Sequence, residues 1–104
     1  RAKKATARRG GATAVTASAP SKREQVADCV ISVFDATGIE TGPNTTPASK
    51  WSSEVRWHDK ANDIARCVKG KRPASDQTAM FVLLKSKYQT KRSKIIGDLA
   101  DSIP

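Results

Sequence analysis

Apolar residues that recur at helical spacing after residue 20 constrain the fold of this chain most strongly. Ser21 and Glu24 match a capping box, in which the hydroxyl and the carboxylate each bond to an unpaired backbone N–H group. The residues that follow share one face of a helix, and they are Val26, Cys29, Val30, Val33 and Phe34. No run alternates with period two over the length of a strand. The sequence therefore predicts an all-α fold whose first helix covers residues 22–36.

The segment after this helix is predicted to be a connecting loop. Gly38 suits the left-handed conformation at a helix C-terminus, and Ile39 is placed to fold back onto Phe34. Residues 38–48 also contain two prolines, which oppose a helix running through the segment. The only charged residue there is Glu40, so the loop is interpreted as a connector without a binding role.

A second helix is predicted from Ser52 to Lys69, with Ser49 or Ser52 as its N-cap and Gly70 as its end. Its apolar positions repeat every three or four residues. They are Trp57, Ala61, Ile64, Ala65 and Val68. This periodicity indicates one buried face.

Two more apolar stripes follow a short basic turn. Ser75 is expected to cap the third helix, with Asp76 placed favourably against the helix dipole. The buried side of that helix would consist of Met80, Phe81, Leu84 and Tyr88. The last stripe comprises Ile95, Ile96, Leu99 and Ile103. The break near residues 89–91 is weak, so the sequence predicts a bundle of about four helices in which the last two could be one bent helix.

The first twenty residues differ in composition from the rest. Residues 1–20 contain no acid, and Val15 is their only large aliphatic residue. Their cations are Arg1, Lys3, Lys4, Arg8 and Arg9. Such a segment cannot bury enough apolar area to offset the entropy of ordering it. Residues 1–20 are therefore predicted to be a flexible basic arm, and residues 21–104 a single helical domain.

The positive charge points to an anionic partner. The formal net charge is +9, and a surplus of this size attracts nucleic acid or acidic protein segments. Within the predicted domain, the first basic cluster comprises Arg66, Lys69, Lys71 and Arg72. The second basic cluster comprises Lys85, Lys87, Lys91, Arg92 and Lys94, with no acid between Asp76 and Asp98. Part of the first cluster also suits a helix C-terminus, and a solvated helix face remains the structural alternative for the second.

Two of the aromatic residues are candidates for stacking on bases. Tyr88 lies within the second basic cluster, where it could stack on a base, although it also continues the apolar stripe of the third helix. Trp57 falls on the apolar face of the second helix and is expected in the core. Trp51 lies near the start of that helix and is expected to be exposed, which makes it the second candidate for stacking.

Residues suited to catalysis or metal binding are few. The chain has one histidine, His58, and two cysteines, Cys29 and Cys67, whose spacing matches no common zinc pattern. Both cysteines lie on apolar stripes, and they are expected to be reduced core residues. From this we expect an intracellular protein, in the cytoplasm, the nucleus or a virion. No enzyme activity, metal, cofactor, small-molecule substrate or membrane span is predicted.

Two functions from different classes fit these features. The first is sequence-tolerant binding of nucleic acid, RNA rather than DNA, within a nucleoprotein assembly. The alternative is a protein-interaction domain whose basic groove docks an acidic segment of a partner, as a viral polymerase cofactor does on a nucleoprotein. A third, weaker interpretation is a helix-turn-helix in which Gln77 and Thr78 face base edges.

Overall fold

The computed structural model describes residues 21–36, 42–51 and 53–104. They form five helices, namely α1 (Lys22–Asp35), α2 (Pro47–Lys50), α3 (Glu54–Lys71), α4 (Gln77–Lys85) and α5 (Arg92–Ser102). No strand occurs in these three ranges, so the predicted all-α class is confirmed. The predicted basic arm of residues 1–20 and the predicted turn at Gly38 and Ile39 lie outside the described residues.

The predicted capping box at the start of α1 is confirmed. The Ser21 hydroxyl accepts the Glu24 backbone N–H at 3.2 Å, and Glu24 Oε1 accepts the Ser21 N–H at 2.8 Å. The helix ends one residue before the predicted boundary. A local signal therefore sets this terminus, because both partners lie within three residues of each other.

The prediction that residues up to 48 form a loop is wrong at its end. Pro47 occupies the first turn of α2, where proline has no helical N–H bond to lose. Thr46 and Ser49 close a capping box around it, so Ser49 belongs to α2 and does not cap α3. The cap of α3 is Ser53, whose hydroxyl accepts the Arg56 N–H at 3.3 Å.

Two further helix boundaries differ from the prediction for identifiable reasons. Gly70 lies inside α3, which continues to Lys71, because the cost of about 1 kcal/mol for a helical glycine is small beside the packing of the preceding turns. Asp76 caps α4 in place of Ser75, and Asp76 Oδ1 accepts the Ala79 N–H at 3.1 Å. Ser75 is buried, and its hydroxyl instead donates to the Arg72 carbonyl at 2.6 Å.

The last two helices are separate, so the bent-helix alternative is wrong. A turn over residues 86–91 divides α4 from α5, and Tyr88 lies in this turn. The bundle therefore has the four helices that were predicted and, in addition, the short α2.

The predicted stripes of α3 and α5 are buried at every position. Met80 and Leu84 of α4 are buried as well, and Phe81 and Tyr88 pack partly buried against the core. One end of the core is aromatic: Phe34 lies 5.2 Å from Trp51 and 6.3 Å from Trp57 between ring centroids, both in edge-on geometry. The indole N–H of Trp57 donates to the Leu84 carbonyl at 2.7 Å, which ties α3 to α4.

The two cysteines form a disulfide between α1 and α3, so the prediction of reduced thiols is wrong. Cys29 and Cys67 lie 5.7 Å apart between Cα atoms. Each residue was correctly placed on or beside an apolar face, but helical periodicity does not show that the two faces meet at these positions. The basis for expecting an intracellular protein is thereby removed. Among the described residues, none of the helices has the length and apolar character needed to cross a membrane.

Candidate functional site

The structure places the two basic clusters at opposite ends of α4. The first basic cluster lies at the turn between α3 and α4, and the second lies at the turn between α4 and α5. The nine residues of α4 span about 13 Å. The chain returns along α5, so that Pro104 contacts Arg72 of the first cluster. The two clusters are therefore separated by the length of α4.

Part of the second basic cluster is paired with a carboxylate that lies outside the cluster. Asp98 Oδ2 lies 2.6 Å from Lys87 Nζ and 3.3 Å from Lys94 Nζ. Hydrogen bonds from Lys87 and then Lys94 hold the pKa of Asp98 below its ordinary value. The expectation that this run has no compensating acid is therefore wrong for two of its five cations.

The other three cations of this cluster form no ion pair within the described residues. Lys85 Nζ lies 4.8 Å from the centroid of the Phe81 ring, and Lys91 is exposed at the N-cap of α5. Arg92 is half-buried, and its Nε atom is buried without a hydrogen-bond partner. Since one carboxylate serves two lysines and none pairs with the other three residues, the turn retains an excess of positive charge.

The backbone of this turn is held by the segment before α2. The Arg92 N–H donates to the Thr45 carbonyl at 2.7 Å, and the Ser93 N–H donates to the Pro43 carbonyl at 3.3 Å. These contacts satisfy backbone donors in the first turn of α5. Carbonyl groups of the loop before α2 therefore fix the main chain at the start of α5.

The two candidates for base stacking differ in exposure, because Trp51 is buried and Tyr88 is half-buried. Trp51, predicted to be exposed, is only 5% exposed, because the turn at the end of α2 directs it against Phe34 and Trp57. The Tyr88 hydroxyl donates to the Trp51 carbonyl at 3.0 Å, so the ring is anchored on the core. One edge of Tyr88 lines a cavity of about 300 Å³ together with Glu54, Lys85, Ser86 and Gln89.

Most of the first basic cluster closes the turn between α3 and α4. Arg66 Nη2 pairs with Asp63 Oδ1 at 2.6 Å, so this cation too is matched by a carboxylate. Lys69 Nζ donates to the Pro73 and Ser75 carbonyls at 2.6 and 2.8 Å. Arg72 bridges to α1 and to the end of the chain. Lys71 is exposed, and within the described residues it makes no side-chain contact of this kind.

The helix-turn-helix interpretation gains no support from this turn. Thr78 is exposed and Gln77 is half-buried at the start of α4. The Asp76 carboxylate caps the same terminus, where a phosphate would have to approach. Like charges at this position oppose the docking of a nucleic-acid backbone.

Several structural contacts of charged residues were not predicted. Lys22 Nζ donates to the Ile103 carbonyl at 2.8 Å, which fixes the end of the chain on α1. The ion pairs of Asp98 were also not predicted, although its position one helical turn after Lys94 indicates an (i, i+4) pair. The cations of residues 1–20 lie outside the described residues. Among the described residues, no group of three or more His, Cys, Asp or Glu side chains is placed to hold a metal.

Comparison with known proteins assigns the chain to no family. No protein-family model matches it, and neither a curated protein nor a solved structure gives a significant match. The function of the chain is therefore inferred from the geometry of the two basic turns.

Proposed function

We propose that the chain binds nucleic acid, RNA in preference to DNA, by neutralising backbone phosphates with the second basic cluster and with the cations of residues 1–20. The observation that supports this most is the charge at the turn between α4 and α5. Five cations gather there, and Asp98 is the one carboxylate in the described part of the chain that pairs with any of them. Phosphate contacts of this kind supply most of the affinity of sequence-tolerant binders.

Arg92 and Lys91 are the residues on which this proposal depends most. A guanidinium offers five N–H donors in a fork that matches phosphate oxygens, and a lysine ammonium acts as a point charge. The main chain of Arg92 is fixed by the Thr45 carbonyl, which lowers the cost of ordering this segment when it binds. Lys94 adds a third cation, because its side chain is 66% exposed although it contacts Asp98.

Sequence tolerance follows from the side chains present. Trp51 is buried and the Tyr88 hydroxyl is occupied, so neither side chain offers a free polar group to read a base edge. Phosphate contacts position a nucleic acid but carry no sequence information. The preference for RNA rests on the basic segment ahead of a helical domain, an arrangement that suits proteins that coat RNA.

A second candidate function is docking of an acidic protein segment. Val55 is 71% exposed and Val82 is 57% exposed, and these are the exposed large apolar side chains among the described residues. Val82 precedes Lys85 by one helical turn, so apolar and basic side chains are neighbours on the surface of α4. Burial of exposed valines stabilises a protein complex, whereas a phosphate backbone gains little from them.

The two candidates are separated by binding measurements on the full chain. Fluorescence anisotropy would compare labelled single-stranded RNA, duplex DNA and an acidic peptide at about 150 mM salt. Replacing Lys91 and Arg92 together by Gln should weaken RNA binding roughly tenfold. The matched control is the double replacement of Arg23 on α1 and Arg66 on α3 by Gln, which removes the same charge from exposed positions outside the second basic cluster and should change RNA affinity much less.

Two outcomes would contradict the proposal. Equal losses in the two double variants would show that only the total charge matters. Tighter binding of the peptide than of RNA, abolished by Val82→Asp, would instead support the docking of an acidic segment.

A further inference from the structure

A cavity of about 250 Å³ lies at the turn between α3 and α4, at the far end of α4 from the second basic cluster. Two of its lining residues are cationic and none is acidic. They are Lys71, Arg72, Pro73, Ala74, Ser75 and Pro104. The volume is below the range of about 300–1,000 Å³ typical of sites for larger organic ligands, so a small group fits it better.

Arg72 is held at this cavity without a carboxylate side chain to neutralise it. Arg72 Nη1 donates to Gln25 Oε1 at 2.8 Å, and Nη2 donates to the main-chain oxygen of Pro104 at 2.7 Å. Its Nε atom is buried without a hydrogen-bond partner among the described residues. These contacts use only part of the five donors of a guanidinium. The side chain is therefore oriented, and because Nε is buried, the donors left for a ligand are the second N–H groups of Nη1 and Nη2.

The rim of the cavity is rigid. Lys69 Nζ binds the carbonyls of Pro73 and Ser75, and the Ser75 hydroxyl and N–H both donate to the Arg72 carbonyl, at 2.6 and 2.9 Å. The ring of Pro73 restricts the backbone further. A rim fixed before binding loses little conformational entropy when a ligand enters.

We propose that this cavity binds a single phosphate group, free or as a phosphomonoester, with the Arg72 guanidinium and the Lys71 ammonium as its cationic ligands. A guanidinium fork and a lysine point charge are the two groups that proteins use most for phosphate. Lys71 is exposed and has no side-chain contact that a ligand would have to displace. The site is independent of the proposed nucleic-acid surface, because the length of α4 separates the two.

The test is a titration of the full chain followed by backbone amide NMR. Inorganic phosphate and O-phosphoserine would be added at constant ionic strength, with acetate as the comparison anion. We expect saturable shifts confined to residues 71–75, with a Kd on the order of 1 mM. Lys71→Gln should weaken binding of phosphate roughly tenfold without altering the fold. Arg56→Gln, which removes one exposed charge near the start of α3, should leave phosphate affinity unchanged.

The choice of variants keeps the outcomes distinct. The site is supported if either phosphate compound binds saturably and Lys71→Gln weakens that binding. Binding of both compounds would show that the phosphate group alone is recognised. Shifts spread over the whole surface, an equal response to acetate, or equal losses in Lys71→Gln and Arg56→Gln would overturn it. Replacement of Lys91 and Arg92 tests RNA binding, and Lys71→Gln tests phosphate binding at the cavity. Failure of one proposal can therefore be distinguished from failure of the other.

Discussion

The Lys87 ammonium nitrogen lies 2.6 Å from Asp98 Oδ2, which ties the turn after α4 to the middle of α5. The same carboxylate contacts Lys94 one helical turn earlier. Asp98 thus has two effects that oppose each other in binding. It orders two lysines of the second basic cluster, and it cancels one unit of the positive charge that we propose attracts phosphate.

Replacing Asp98 by Asn should strengthen RNA binding. The change removes one negative charge from the second basic cluster and frees Lys87 and Lys94 to contact phosphates. Affinity for single-stranded RNA is expected to rise several-fold, and the rise should be larger at low salt. Asp101→Asn is the matched control, because it removes the same charge from an exposed position on the same helix and should have a smaller effect. Weaker RNA binding by Asp98→Asn would show that ordering of the lysines matters more than net charge.

The lowered pKa of Asp98 predicts that the fold loses stability at acidic pH. A carboxyl whose pKa is lower in the folded chain than its ordinary value of 3.8 stabilises the fold above that value. This contribution is lost as the pH falls below 3.8 and through the lower pKa of the folded chain, because Asp98 then becomes protonated. Thermal unfolding followed by circular dichroism should show a steeper decline in this range for the wild type than for Asp98→Asn. Identical profiles would contradict the ion pairs with Lys87 and Lys94.

The disulfide should contribute a large part of the stability. Cys29 and Cys67 are separated by 38 positions, and closing a loop of that length stabilises a fold by about 4 kcal/mol in the chain-entropy account. Urea unfolding should show a loss approaching this value when both cysteines are replaced by Ala. A thiol reductant should destabilise the wild type and leave the double variant unchanged. Insensitivity of the wild type to the reductant would contradict the bond.

Because Trp51 is buried, its fluorescence should not respond to the binding of RNA. The chain has two tryptophans, so the Trp57→Phe variant contains Trp51 alone. Its fluorescence emission should be blue-shifted and protected from acrylamide, because the ring packs edge-on against Phe34. Saturating RNA should leave the emission unchanged. Solvent-like emission, or quenching by RNA in a variant that remains folded, would restore Trp51 as a stacking residue.

The helices could be predicted because their signals are local. The capping box of Ser21 and Glu24 spans three residues, and the stripe from Trp57 to Val68 follows the period of one helix. These patterns depend on no contact with the rest of the chain. The cap of α4 was misplaced by one position, because serine and aspartate are equally good caps and the Arg72 carbonyl captures the Ser75 hydroxyl.

The contacts that shape the candidate site could not be predicted in the same way. Periodicity gives the inward face of each helix, but it leaves the rotation and height of one helix against another undetermined. The disulfide depends on that relative placement of α1 and α3, and the Lys87–Asp98 pair on that of the turn and α5. The burial of Trp51 depends on α2, a single turn too short to give a periodic pattern.

The salt dependence of RNA affinity tests the central claim most directly. The slope of log K against log salt reports the number of phosphates neutralised, at about 0.7 per phosphate for a single strand. Replacing Lys91 and Arg92 by Gln should reduce the magnitude of that slope by about 1.4, and the Arg23 and Arg66 control should keep the slope of the wild type. Equal slopes for all three proteins would show that the turn between α4 and α5 contacts no phosphate, and the proposed function would then be wrong.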